Sequence, residues 1–96
     1  MENKLNIIVH LKDTKEVIFK TAIDVVNVDD DDAVIGNVIE WMADVYGAVE
    51  IIPIDQSKYE KYQDYCGLFF VNKDNYFEVT FDIDNPNDCH VFKGSF

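Results

Sequence analysis

The chain has 96 residues, enough for one domain with one modest core. Hydrophobic residues make up 48% of it and seven are Phe, which excludes an unfolded chain, and no apolar run approaches the roughly 18 residues of a membrane-crossing helix. Net charge is −11 and every basic residue is Lys, so direct binding to nucleic acid or to an anionic membrane is disfavoured and a basic protein surface is favoured as partner.

The opening MENKLNIIVHLKD carries an acid at once and alternates, which is not the pattern of a secretory leader, and predicts a cytoplasmic protein. Leu5, Ile7, Val9 and Leu11 alternate with Asn6, Ile8, His10 and Lys12, as in a strand with one apolar face. After the polar turn Lys12–Lys15, Val17, Phe19, Thr21 and Ile23 alternate with Ile18, Lys20, Ala22 and Asp24. The close spacing predicts an antiparallel hairpin. His10 falls on its outer side and reads as a surface position, since the sequence sets no nucleophile or orienting carboxylate beside it.

The stretch Asp30–Gly47 carries the clearest signal. At 100° per residue Val34, Ile35, Val38, Ile39, Trp41, Met42, Val45 and Tyr46 fall in one stripe about 160° wide, and Gly36, Asn37, Glu40 and Asp44 take the other side. That predicts a helix laid on a sheet. Asp29 or Asp30 can cap its first turn, with Val28 and Ala33 forming a staple if the cap is Asp29, and Gly47 suits the left-handed stop. Asp29 to Asp32 do not make an EF-hand loop: a frame from Asp31 puts Gly36 sixth but Ala33 and Ile35 at ligand positions and Met42 last. Nor do they suit a phosphate site, because carboxylates repel the anion that a helix start attracts. One cap needs one Asp, so the surplus suggests that negative charge itself is wanted.

Residues 49–54, VEIIPI, read as a short strand that Pro53 confines to an edge or ends. Ser57 and Glu60 fit a capping box, which predicts a short helix from Lys58 to about Asp64 with Tyr59, Tyr62 and Tyr65 along one side. Such a helix is either a flap over the sheet edge or a Tyr-rich contact patch. Residues 66–72 and 76–84 form a second predicted hairpin about the turn Lys73–Asn75, with Phe77, Val79, Phe81 and Ile83 on one face and Tyr76, Glu78, Thr80 and Asp82 on the other. His90 to Lys93 make a short last strand or a tail. Cys66 and Cys89 are expected as free thiols, and the absence of CxxC or CxxH spacing disfavours zinc. No cofactor motif occurs.

Together these elements predict a single α+β domain over residues 1–96: about five mostly antiparallel strands in the order ββαβ(α)ββ, with the main helix on one face. Phe19, Val34, Val38, Val45, Phe77, Val79 and Phe81 are the expected core.

Charge is uneven along the chain. Residues 1–20 carry four Lys against Glu2, Asp13 and Glu16, whereas residues 21–65 carry eleven acids against Lys58 and Lys61. The expected function is therefore that of a small acidic inhibitor, not an enzyme, that occupies the basic nucleic-acid-binding surface of a partner. Asp29, Asp30, Asp31, Asp32, Glu40, Asp44, Glu50, Asp55, Glu60 and Asp64 would stand in for phosphates, with Tyr59 and Tyr62 as further contacts. In size and charge the chain is similar to phage-encoded DNA mimics such as anti-CRISPR and anti-restriction proteins. An immunity protein or antitoxin for a basic nuclease toxin makes the same demand on the sequence. A different class, a small metal-dependent hydrolase or metal-regulated domain, would use the oxygens of Asp82, Asp84 and Asp88.

Overall fold

The structure is a computed structural model and describes residues 4–26, 30–50, 67–81, 84–85 and 87–96. Strands β1 (Lys4–Leu11) and β2 (Val17–Asp24) form the first hairpin, followed by helix α1 (Asp31–Tyr46) and strands β3 (Val49–Glu50), β4 (Gly67–Val71), β5 (Asn75–Phe81) and β6 (Asp88–Ser95). They make one mixed sheet of six strands in the order β2-β1-β6-β5-β4-β3. The α+β class is as the sequence predicts.

The topology follows from where the helix lands. The chain leaves the sheet at the β2 edge, runs through α1, and re-enters at the opposite edge with β3. From there β4, β5 and β6 return inward as an antiparallel meander, until β6 meets β1. That seam, with Ile7 opposite Cys89 and Val9 opposite Val91, is the one parallel pairing among the described strands. Residues 90–93 are thus no tail: they lie within an eight-residue strand hydrogen-bonded on both sides.

Alternation sorts the side chains. Leu5, Ile7 and Val9 of β1, Cys89 and Val91 of β6, Phe77 and Val79 of β5 and Phe70 of β4 are buried with Val34, Val38 and Met42 of α1. Full burial of an apolar side chain of this size stabilises the fold by about 1.5–3 kcal/mol. Of the expected core, Val34, Val38, Phe77 and Val79 are buried and Phe81 packs at the margin. Phe19 and Val45 are corrections, at 45% and 50% exposed. Phe19 belongs to an edge strand with no neighbour beyond it among the described residues; its ring stacks on Trp41 at 6.5 Å and is otherwise open. Val45 lies in the last helical turn, near β3, of which the described part is two residues.

The helix ends are built as their residues demand. Asp30 is the cap, and its carboxylate accepts from the backbone N–H groups of Asp32 and Ala33 at 3.1 and 3.3 Å. The staple expected for an Asp29 cap is therefore not the one used, and Val28 lies outside the described residues. Gly47 takes φ 61°, and its N–H donates to the carbonyl of Ala43 at 3.0 Å. The second helix expected at 58–64, Tyr65, Cys66, Pro53 and Ile83 also lie outside the described residues.

Candidate acidic interface

Every charged residue described on the exposed surface of α1 is acidic. Asp30, Asp32, Glu40 and Asp44 are all exposed, and Asp31 is the first helical residue. Glu50 follows in β3, also exposed. Among the described residues no cation pairs with Asp30, Asp32, Glu40, Asp44 or Glu50; the described ion pairs are Lys4–Asp24, at 2.5 Å, and Lys12–Glu78. The last helical turn carries no basic residue, although the negative end of the helix dipole lies there.

Two of the predicted contact residues converge with residues the sequence did not single out. Glu40 and Asp44, one turn apart, line an open hollow of about 180 Å³ together with Asn37 and Trp41 of α1 and Ile23 and Asp24 of β2. Glu40 and Asp44 thus stand beside one indole, while the Asp24 carboxylate is paired with Lys4. Trp41 is half-buried, with Phe19 stacked on it at 6.5 Å and Tyr46 edge-on at 5.6 Å. A Lys or Arg side chain entering the hollow would meet both carboxylates and an aromatic ring. Asp24 was hidden in the sequence because its neighbours there are strand residues; only the packing of α1 along β2 brings it to the helix.

Asp29, Asp55, Tyr59, Glu60, Tyr62 and Asp64 lie outside the described residues. Of the carboxylates considered for a cation, Asp82 is likewise outside, Asp84 is exposed, and Asp88 accepts a hydrogen bond from Asn6 Nδ2 at 2.9 Å. Among the described residues no group of three His, Cys, Asp or Glu side chains converges as a metal site would require.

The sheet face away from α1 holds a different kind of polar group. Glu78 is only 2% exposed there and pairs with the Lys12 ammonium, while its Oε1 has no hydrogen-bond partner among the described residues. Phe92, opposite Glu78 in the ladder, stacks on His10 at 4.9 Å, and the Lys15 ammonium sits 4.7 Å from the Phe92 ring centre. His10 Nδ1 lies 3.2 Å from the Lys15 carbonyl and therefore donates to it, which leaves Nε2 to accept from His90 Nδ1 at 3.0 Å. His10 is thus a half-buried member of a small network, 80 residues from its partner in sequence. Burial pushes the Cys89 thiol up to about 12 and raises the Tyr46 hydroxyl above its ordinary value.

No helix among the described residues is long and apolar enough to cross a membrane. Searches of protein-family models, curated proteins and solved structures find no match to this chain.

Proposed function

We propose that this protein is an acidic inhibitor that binds the basic surface with which a partner protein holds nucleic acid. The observation that carries the reading is the unpaired acidity of α1. Asp30 alone satisfies the cap, yet Asp32, Glu40 and Asp44 stand exposed with no described counter-charge. Glu40 and Asp44 repel across one turn, at a cost of about 0.2–0.5 kcal/mol. Asp44 also faces the negative end of the helix, which costs about 0.3–1 kcal/mol more at an exposed site. Charges kept against the stability of their own helix are explained by a partner that supplies the missing cations.

The mechanism is competition. Lys and Arg side chains that neutralise phosphates meet carboxylates spaced along a rigid helix instead. Glu40 and Asp44 beside Trp41 offer one anchoring position for such a side chain.

The test is capture of partners from host lysate on immobilised protein, followed by challenge of the bound material with duplex DNA. The reading expects nucleic-acid-binding proteins that DNA displaces. A partner that holds this protein and its nucleic acid at the same time would overturn it.

A further inference from the structure

We propose that the β2 edge pairs with β2 of a second copy of this chain, giving a continuous twelve-stranded sheet across a two-fold axis at Ala22. This inference does not rest on the reading of the acidic helix.

The backbone shows which groups are on offer. Asn6 N–H donates to the Asn87 carbonyl and Lys12 N–H to that of Lys93, so the even-numbered residues of β1 turn their backbone groups toward β6. The odd-numbered residues turn theirs toward β2, as the bond from Leu11 N–H to the Glu16 carbonyl shows. Their partners in register, Phe19, Thr21 and Ile23, therefore point back at β1. Lys20, Ala22 and Asp24 are left with N–H and C=O directed out of the open edge. The register shift near Val9 and His10 lies beyond this stretch.

Edge strands in soluble proteins are usually short, bulged, or interrupted by Pro or charge. β2 has eight residues and no Pro; it carries Lys20, Asp24 and a register shift at its start, yet Val17, Ile18 and Phe19 are each more than 40% exposed.

The sequence of the strand points to its own copy as the occupant. Antiparallel pairing of two β2 strands allows several registers in which outward groups meet. Centred on Lys20, the two Lys20 ammoniums would repel. Centred on Ala22, Lys20 of each copy stands opposite Asp24 of the other, with the small Ala22 facing itself at the axis. On the helix side the same register brings Thr21 opposite Ile23. The hairpin is also the one region in which Lys outnumbers acids, so two chains of net charge −11 meet there with least repulsion. An axis perpendicular to the sheet puts both α1 helices on the same face, and the two acidic hollows border the shared edge.

Sedimentation equilibrium of the full chain, up to about millimolar concentration and near physiological salt, tests the pairing. Wild type should show a concentration-dependent dimer. Lys20→Asp should weaken it at least about tenfold, and Lys20→Asp with Asp24→Lys should restore it. Ala22→Pro removes only an outward N–H, as edge strands tolerate, and should leave a folded monomer. A wild-type chain that stays monomeric throughout would overturn the proposal. So would a dimer that survives both Lys20→Asp and Ala22→Pro, or a charge reversal that fails to restore pairing.

Discussion

The two sides of this molecule treat charge in opposite ways. On the sheet face away from α1, Glu78 is buried against Lys12, and His10 is tied to His90 and to the Lys15 carbonyl. On the solvent side of α1, Asp32, Glu40 and Asp44 have no described counter-charge. The contrast separates charges that the fold depends on from charges that it tolerates. Removing the first kind should unfold the protein; removing the second kind should not.

The largest effect is expected at the buried pair. Lys12→Met leaves the Glu78 carboxylate buried with no cation, and should destabilise the fold by about 3–5 kcal/mol in denaturant titrations. Adding Glu78→Leu should recover most of that loss, because the desolvated charge goes with its partner. If Lys12→Met is silent, the pair does not carry the role assigned to it and the two sides are alike.

A smaller loss is expected at the helix ends. Gly47→Val forces a β-branched residue to φ 61° and should cost about 1–2 kcal/mol, visible as a lowered Tm. Asp30→Ala should cost about 1 kcal/mol, whereas Asp30→Asn, which keeps the capping oxygen, should cost little. Equal losses for the two Asp30 variants would mean that its charge, not its cap, matters to the fold.

The smallest effect should have the opposite sign. Glu40→Gln with Asp44→Asn removes one repulsive turn and one charge at the wrong end of the dipole, and should stabilise the protein by a few tenths of a kcal/mol or slightly more. A clear destabilisation would place these acids among the charges the fold needs. The pH axis offers a separate check on the core. The Cys89 thiol, ordinarily at 9.0, is pushed to about 12 by burial, so the folded state holds its proton more tightly than the unfolded chain. That contribution is full below pH 9.0 and is lost as pH rises toward about 12; Cys89 should also resist alkylation until the protein unfolds.

Much of this was legible in the sequence. The α1 stripe, its Gly47 stop and the alternation of β1 and β5 depend on residues a few positions apart, and local spacing records them. What the sequence did not show depends on contacts distant along the chain. His90 to Lys93 read as a short last strand or a tail, yet residues 88–95 form a full strand inside the sheet, because their partners in β1 lie some 80 residues away. The same separation hid His90 from His10. Phe19 read as core because alternation reports which face a side chain takes, not whether its strand lies at the edge. The acidity of the helix was plain from the start. The hollow that β2 closes beside Glu40, Asp44 and Trp41 was not, since it needed the angle at which α1 lies along β2.

The central claim is that the unpaired acids of α1 are kept for a partner's nucleic-acid surface. The most direct test is the salt dependence of affinity for a captured partner, compared between wild type and a variant carrying Asp30→Asn, Asp31→Asn, Glu40→Gln and Asp44→Asn. Wild-type affinity should fall steeply and linearly on a log–log plot against salt. The folded variant should bind far more weakly, with a shallower slope. Affinity that ignores salt, or a variant that binds as wild type does, would contradict the account.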